Sequence, residues 1–430
     1  MQGQVKVRTY HDSTRATKLK EEYSIFSKTD STRNGLYRRY HLTGKLAFEG
    51  KYDSGRAEGA FNEYYSDGSI RLSTFYVNGK KNGAMIGYTP KGLPVQKAIF
   101  KDNRLSDSLF TYYPSGQVKS VGRFLNDSLE GLAFEYYPTG ILRQQLNYTK
   151  GRPNGYSRKY WPNANLEQEA DYVDGILAGS FKTYYETGTI ETDQTLAGGL
   201  KQGMFHNFYP NGRVRLQGQY LGGQPDGELK GFYESGELEQ VIMYLEGKRE
   251  GASKYFYPNG LLKRKVEYAE KETRREVTEY HLHGKKKFEG SYAKEIPQGT
   301  HRHYHRTGKL HKELTYDLAG KLTGPGTYGD SLGNKTRTET YVRGAMSGPV
   351  EEFYPNGRTA ATFVYAGGQP SGPYKRFNEK GKLAEQGIYR AGKLNGSVLT
   401  YEPDGFKSGE KFYRNGQMVK EKTFDRSAKK

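Results

Sequence analysis

FYPNG occurs three times in this chain, at 208–212, 256–260 and 353–357. Close variants lie around these copies: YYPSG at 112–116, YYPTG at 136–140 and FYESG at 232–236. Pro presets φ for a turn, and Asn and Gly tolerate the positive φ that tight turns between strands require. The phrase therefore predicts a turn that recurs along the chain, each one preceded by a strand that ends in aromatic residues.

The last residue of the phrase recurs with a period of 24 residues, which is the sequence signature of a repeat architecture. Taking this residue as position 0 of each repeat, the position-0 residues are Gly44, Gly68, Gly92, Gly116, Gly140, Ala164, Gly188, Gly212, Gly236, Gly260, Gly284, Gly308 and, after one extra residue, Gly333, Gly357, Gly381 and Gly405. Further glycines near positions +11 and −9 leave no room for a helix. The sequence predicts an all-β fold, an elongated single-layer antiparallel sheet of about sixteen 24-residue β-hairpins.

We expect three segments along the chain. Residues 1–34 break the period, and VKVRTY and EEYSIF within them predict a hairpin that caps the first edge of the sheet. Residues 35–420 form the repeat array, and 421–430 form a polar tail. The expected repeats are 35–58, 59–82, 83–106, 107–130, 131–154, 155–178, 179–202, 203–226, 227–250, 251–274, 275–298, 299–323, 324–347, 348–371, 372–395 and 396–420.

Aromatic and aliphatic residues recur at fixed positions of the repeat. Rings stand at −4 and +8, and aliphatic residues at +2, as in Tyr64, Ile70 and Tyr76. These offsets are even, so we expect the three columns to share one face of the sheet and to stabilise it as ladders. A second aromatic column at −3 has odd parity and is expected to face away. It supplies the candidate aromatic binding face: Tyr113, Tyr137, Trp161, Tyr185, Tyr209, Tyr233 and Tyr257.

Composition supports short strands and tight turns. The chain has 430 residues with 55 Gly and 38 Tyr, but only 34% hydrophobic residues, too few for several thick cores. It has no Cys, which excludes disulfides and thiolate sites. The net charge of +19 makes anionic partners plausible, although charge also keeps a long molecule soluble.

The repeat resembles the MORN repeat in its bacterial variant form. GLAFEYYPTGIL at 131–142 with YTKGRPNG at 148–155, and GASKYFYPNGLL at 251–262, carry the resemblance, which covers about 35–420. It implies hairpin repeats in an elongated single sheet that serves as a scaffold or as a module contacting proteins or membranes. Some bacterial relatives are described as antitoxins. The best-known eukaryotic members attach the repeats to a separate catalytic domain, for which this chain leaves no room.

Basic residues and histidines concentrate between 261 and 311. They supply a second candidate surface, a patch for an anionic partner: Lys263, Arg264, Lys265, Arg274, Arg275, Lys285, Lys286, Lys287, His301, His303 and His305. Its imidazoles would add positive charge below about pH 6.5. A metal site at His303 and His305 lacks an obvious carboxylate to complete it. Surface imidazoles and solvated cations are the alternative interpretation.

No acid–base or nucleophile constellation is evident, so we expect no catalytic residue, no cofactor and no metal site. The leading hypothesis is a non-catalytic scaffold that binds a protein partner, with an anionic membrane or acidic polymer as the other partner class. Nucleic acid is not expected, because the rings near the basic residues belong to the structural columns. A glycan- or wall-polymer-binding surface protein and an antitoxin-like inhibitor are the alternatives. The compartment stays open: the envelope or exterior if a leader was removed, and the cytoplasm if Met1 is native.

Overall fold

The computed structural model describes residues 4–12, 14 and 17–426, which fall into two compact units, Met1–Arg213 and Val214–Lys430. The strands of unit 1 are β1 (Val5–Tyr10), β2 (Leu19–Ile25), β3 (Arg33–Tyr40), β4 (Leu46–Asp53), β5 (Arg56–Tyr64), β6 (Ile70–Val77), β7 (Lys80–Tyr88), β8 (Pro94–Lys101), β9 (Arg104–Tyr112), β10 (Val118–Leu125), β11 (Ser128–Tyr136), β12 (Leu142–Thr149), β13 (Arg152–Tyr160), β14 (Leu166–Val173), β15 (Ile176–Tyr184), β16 (Ile190–Ala197) and β17 (Leu200–Phe208).

Unit 2 continues the same alternation. Its strands are β18 (Val214–Leu221), β19 (Gln224–Phe232), β20 (Leu238–Leu245), β21 (Lys248–Arg249), β22 (Gly251–Phe256), β23 (Leu262–Ala269), β24 (Arg274–Tyr280), β25 (Lys286–Ala293), β26 (Ile296–Tyr304), β27 (Leu310–Tyr316), β28 (Gly324–Gly329), β29 (Lys335–Val342), β30 (Ala345–Met346), β31 (Gly348–Phe353), β32 (Thr359–Ala366), β33 (Gln369–Pro370), β34 (Gly372–Phe377), β35 (Leu383–Arg390), β36 (Lys393–Leu394), β37 (Gly396–Tyr401), β38 (Lys407–Arg414) and β39 (Gln417–Thr423).

Within each unit the strands pair antiparallel with their neighbours in sequence, as β5 does with β4 and β6 and as β23 does with β22 and β24. In four repeats of unit 2, an irregular residue divides the first strand of the hairpin into a two-residue strand and a longer strand. For example, β33 and β34 both pair with β32. The predicted fold class, an all-β single-layer antiparallel sheet of hairpin repeats, is confirmed.

Two kinds of turn alternate. In the repeated phrase, Tyr209 N–H bonds the carbonyl of Arg213 and Gly212 N–H bonds that of Tyr209, with the positive φ on Gly212, at 81°. This is a three-residue loop closed by a left-handed glycine. The expected role of the asparagine changes: Asn211 caps the loop by accepting the Arg213 N–H at 3.0 Å. The other turns have two residues, both at positive φ, such as Asn78 (49°) and Gly79 (78°), which suits strand twist.

The one-residue slip and the irregular eleventh repeat are both absorbed in turns. Asp317–Lys321 forms a three-residue loop where other repeats have a two-residue turn. Before β24, the segment from Glu270 to Thr273 replaces the usual turn, and β24 pairs with β23 without a register shift. Both features keep the hairpin order intact on either side.

The N-terminal cap at 1–34 and the polar tail at 421–430 both stay predictions. β1 and β2 form a hairpin, and β2 pairs with β3, while the role of 1–34 as a cap stays a prediction. Residues 1–3 and three positions of its connecting turn lie outside the described residues. In the expected tail 421–430, the first three residues belong to β39, and 427–430 lie outside the described residues.

A buried row crosses the strands at positions −7 and +6. In unit 1, Phe61 pairs with Thr74, Thr74 with Met85, and Met85 with Ala98. The Tyr76 ring at +8 packs on Phe61, with centroids 4.9 Å apart. We call the face that carries positions −7, +6 and +8 the ring face. In unit 2 the same row contains Val266 and Val277, which with neighbouring rings form a buried cluster.

Large and small residues alternate along this row. Glycine at +6 makes room for a ring on an adjacent strand: a Cβ on Gly50 would overlap Phe61, one on Gly290 would lie 2.7 Å from His301, and one on Gly387 would lie 2.8 Å from Tyr374. The row therefore packs by complementary volume, as a close-packed interior requires.

The expectation that positions −4, +2 and +8 share one face is wrong. Tyr64 at −4 donates its hydroxyl to Glu49, whereas Tyr52 at +8 packs on Phe61. Glu49 and Tyr52 are three residues apart on β4 and so project from opposite faces. The reason is the three-residue loop, which pairs Phe61 at −7 with Thr74 at +6, so that odd positions of one strand share a face with even positions of the next.

Candidate functional site

The aromatic column at −3 links consecutive repeats. Phenol hydroxyls of this column donate to the backbone carbonyl of the residue 23 positions later, as Tyr113 does to Tyr136 at 2.7 Å and Tyr137 to Tyr160 at 2.9 Å. Further bonds of this kind join Tyr65 to Tyr88, Tyr185 to Phe208, Tyr233 to Phe256, Tyr257 to Tyr280 and Tyr354 to Phe377. The indole N–H of Trp161 bonds the Tyr184 carbonyl at 3.2 Å.

Histidine takes the same role where it replaces tyrosine. His41 contacts the Tyr64 carbonyl at 3.1 Å, His281 that of Tyr304 at 3.2 Å and His305 that of Gly329 at 2.9 Å through Nε2. Because a carbonyl accepts, Nε2 carries the proton in these contacts. The side chains of this column are half-buried rather than fully exposed. They form a row along the edge of the sheet where the three-residue loops lie, and we call this row the seam.

The seam also borders open space in unit 1. Tyr137 and Trp161 face each other across a cleft of about 330 Å³, and Gln144 and Lys159 of the ring face line it as well. The −3 column therefore does not simply point away from the other ladders. The candidate aromatic residues are brought into one row within each unit, but their edges are engaged by the neighbouring repeat.

The basic residues predicted to bind an anionic partner are mostly paired within the protein. The contacts are Arg264 with Glu279 (4.0 Å), Lys265 with Glu267, Arg274 with Glu270 (3.3 Å), Arg275 with Glu295, Lys286 with Glu289 (2.8 Å), Lys287 with Glu279 (3.3 Å) and Lys285 Nζ with the Thr307 carbonyl (2.7 Å). Lys263 lies 5.8 Å from the centroid of the Tyr257 ring.

These cations do not form one continuous surface. Lys263, Arg264 and Lys265 are consecutive on β23, so their side chains alternate between faces. Arg275 lies between two tyrosines of the ring face and packs over Tyr292 at 4.8 Å. The anionic-partner patch stays a prediction, with much of its charge already compensated locally.

The histidines of the patch have separate environments. His301 is buried in the core row, where Nε2 bonds the Ser291 carbonyl at 2.9 Å and the ring packs against Phe288 and Tyr316. Burial, followed by the charge of Lys312, lowers the pKa of His303. Burial and the neighbouring His305 lower the pKa of His311. Acid therefore charges this segment less readily than free imidazoles would.

Acidic side chains hold the hydroxyls at position −4. Tyr184 donates to Glu169 at 2.8 Å and Tyr304 to Glu289 at 2.6 Å. Burial together with these bonds raises the pKa of Tyr184 and Tyr304 to about 12. Such carboxylates are structural acceptors, and among the described residues no group of three or more His, Asp or Glu side chains is placed to hold a metal ion.

The sequence columns missed an apolar strip on the face opposite the ring face. In unit 2, Pro349 pairs with Val364, Pro373 with Ile388, and Ser397 with Phe412. Val364 and Pro373 line one shallow cavity of about 210 Å³ with Pro349, so the strip is continuous there. Ile388 is 46% exposed and Phe412 39%. Reading positions −8 and +7 together in the last three repeats would have revealed it.

Within the described part of the chain, no helix has the length and hydropathy that a membrane span needs. A search of the curated proteins gives no match.

Solved structures with some likeness include the Tc holotoxin pore of Photorhabdus luminescens, at 12% identity over 94% of this chain and 25% of that chain, with a TM-score of 0.15. A TcdB2-TccC3-Cdc42 crystal structure matches at 10% identity over 99% of this chain and 31% of that one, with a TM-score of 0.14. This chain thus spans about a quarter to a third of their length. At these scores the likeness supports no conclusion.

A protein-family model matches the repeats themselves. The model of the MORN repeat variant matches at 33–54, 129–150, 225–246, 249–270 and 297–318. These matches fall in both units and keep the phase of the 24-residue period, with the hairpin of each repeat in the position that the structure gives it. The chain therefore carries repeats that match the variant form of the MORN repeat at these five places.

Proposed function

We propose that this protein is a non-catalytic scaffold whose sheet binds a protein partner. The observation that supports this most is the apolar strip formed by Pro349, Val364, Pro373, Ile388 and Phe412 in unit 2. Contiguous exposed apolar surface of this kind is uncommon on soluble proteins unless another molecule covers it. A row of aliphatic and aromatic side chains on a rigid sheet also gives the central anchors that protein interfaces use.

The surroundings of the strip suit a protein better than a charged polymer. Glu351 and Lys375 line its cavity beside Pro349 and Val364, which places one charge of each sign at the rim. Interfaces between proteins commonly have such an apolar centre with a polar rim. The ion-paired cations between 261 and 311 support an anionic partner less strongly, so membrane or acidic-polymer binding is the second partner class.

The test compares partner capture by three forms of the full chain. Ile388→Lys and Phe412→Lys together put two charges on the strip, and both side chains are exposed enough that folding should persist. Thr195→Lys is the matched control, because it occupies the same repeat position, +7, and is exposed in unit 1. Crosslinking in the native host followed by mass spectrometry should show a protein that the control retains and the double variant loses. Equal capture by all three forms contradicts the proposal.

A further inference from the structure

Tyr137 and Trp161, from consecutive repeats of unit 1, form the two aromatic sides of the cleft of about 330 Å³. The volume lies at the lower end of the range for small-molecule sites. Both side chains are half-buried, and each is fixed by a hydrogen bond to a backbone carbonyl, at 2.9 Å for Tyr137 and 3.2 Å for Trp161. Two strands separate them, so their spacing is roughly 10 Å. The rings are thus held in place before any ligand arrives.

The floor of the cleft contains polar side chains that nothing in the described protein satisfies. Gln144 on β12 and Lys159 on β13 are a direct cross-strand pair, and Glu167 lies on β14. All three are half-buried, and within the described residues none has a hydrogen-bond or ion-pair partner for its side chain. Half-buried polar groups normally find partners, so these three are available to a ligand.

In three repeats of unit 2 the same cross-strand pair is in direct side-chain contact. Arg264 pairs with Glu279 and Arg337 with Glu352 at about 4 Å, and the Phe288 ring packs on His303 with centroids 4.8 Å apart. At Gln144 and Lys159 an amide and an ammonium stand side by side without such a contact. The cleft therefore differs in chemistry from these three counterparts.

We propose that this cleft binds a saccharide that carries a carboxylate, with one sugar ring on the face of Trp161 or Tyr137. Aromatic faces accept the C–H face of a sugar ring, while an amide can donate to one hydroxyl and accept from another. Lys159 supplies a cation for the sugar carboxylate, and Arg143, 5.8 Å from the Tyr137 centroid, supplies a second. Glu167 is the single carboxylate of the lining, and it accepts from a hydroxyl.

Charge decides in favour of an acidic sugar. The lining has two cations and one anion, so a neutral ligand would leave Lys159 facing the cleft without a counter-charge. A nucleobase could also stack on these rings, and nucleic acid is therefore a competing outcome of the test. The cleft lies in unit 1 and uses none of the residues of the apolar strip, so this inference is independent of the protein-binding proposal.

Trp161 is the single tryptophan of the chain, which makes its fluorescence a direct reporter of the cleft. The full chain is titrated with a tri-galacturonic acid, a neutral galactose trimer, sodium sulfate and a short single-stranded DNA. We expect the acidic trimer to change the Trp161 fluorescence in a saturable way. The neutral trimer should bind at least tenfold more weakly, and sulfate should give no saturable change in fluorescence.

Lys159→Met should weaken binding of the acidic trimer at least tenfold and remove the preference for it over the neutral trimer. Gln144→Leu should weaken both saccharides. Gln96→Leu is the control, because this glutamine has the same repeat position, +4, two repeats earlier, is also half-buried and does not line the cleft. Thermal unfolding followed by circular dichroism verifies that each variant folds. The proposal is overturned if no saccharide changes the fluorescence, if Lys159→Met binds as the parent does, or if the DNA binds more tightly than the acidic trimer.

Discussion

The indole N–H of Trp161 donates to the backbone carbonyl of Tyr184, 23 residues further along the chain and 3.2 Å away. Tyrosines at the same position of other repeats make the same bond with their hydroxyls, so one side-chain type joins each turn to the next across two strands. In a protein whose repeats contact mainly their neighbours, stability is close to a sum of such nearest-neighbour terms.

Removing one of these tyrosine hydroxyls should lower the free energy of unfolding by the contribution of a single hydrogen bond. Tyr113→Phe deletes the bond to the Tyr136 carbonyl, and we expect a loss of about 1 kcal/mol in the free energy of unfolding. Urea unfolding followed by circular dichroism measures it. Tyr172→Phe is the control, since the Tyr172 hydroxyl has no hydrogen-bond partner among the described residues. An equal loss in both variants would show that the seam bond is not the cause.

The buried row predicts a steric penalty at Gly50. Gly50→Ala would place a methyl group against the Phe61 ring, and overpacking of this kind costs about 1–3 kcal/mol. Because the clash is with one ring, Phe61→Leu should recover part of the loss when combined with Gly50→Ala, and the two changes should be non-additive. Thermal unfolding of the two single variants and the double variant checks this, and strict additivity would contradict the packing described here.

Ala164 occupies the position-0 site that glycine holds elsewhere, at a φ of 70°. The left-handed conformation costs a non-glycine residue roughly 1–2 kcal/mol, while glycine loses about 0.5–1 kcal/mol more backbone entropy on folding. Ala164→Gly should therefore stabilise the protein by about 0.5–1 kcal/mol. The reciprocal change Gly140→Ala, at 87° with open space around its Cβ, should destabilise it. Chemical denaturation of both variants tests the pair, and shifts of the same sign would refute the argument.

Unit 2 should lose stability on acidification. Burial and the charge of Lys312 lower the pKa of His303; His301 and His311 act in the same direction, and Glu279 acts against it. Burial and the neighbouring His305 lower the pKa of His311. A lowered pKa means that the folded state prefers the neutral ring. This stabilisation is present above the unfolded value of about 6.5 and is lost as the pH falls through the folded pKa.

The measurement is the unfolding midpoint between pH 7.5 and 5, for the parent chain and for His303→Gln with His311→Gln. The double variant should show a flatter pH dependence over that range. His206→Gln in unit 1 serves as the control for the loss of an imidazole elsewhere in the chain. If the double variant keeps the full slope, other groups are responsible for the acid sensitivity.

The period, the turns and the hairpin order were predictable because they depend on local chemistry. Gly212 lies at the left-handed φ that its loop needs, and Gly79 completes a two-residue turn. The faces were not predictable by counting even offsets, since the three-residue loop pairs Phe61 with Thr74 and changes the parity between strands. Tyr64 and Tyr76 therefore stabilise opposite faces, although the sequence columns suggested one.

The candidate sites show the same limit. Lys287 and Arg275 belong to an obvious basic cluster in the sequence, but their carboxylate partners, Glu279 and Glu295, come from positions that only the register brings close. The aromatic column stands out in the sequence, whereas its hydrogen bonds to carbonyls 23 residues away depend on how consecutive turns align.

The sequence by itself determined that this chain is all-β, that it turns every 24 residues, and that its repeats resemble the MORN repeat, because glycine, proline and aromatic spacing act on neighbouring residues. The tertiary structure alone decided which side chains meet across strands. It placed an apolar strip at Val364 and Ile388, and it left Gln144 and Lys159 beside Trp161 without side-chain partners among the residues that the structure describes. The physical reason is that pairing register, which the loops and bulges set, determines the face and the neighbours of every residue.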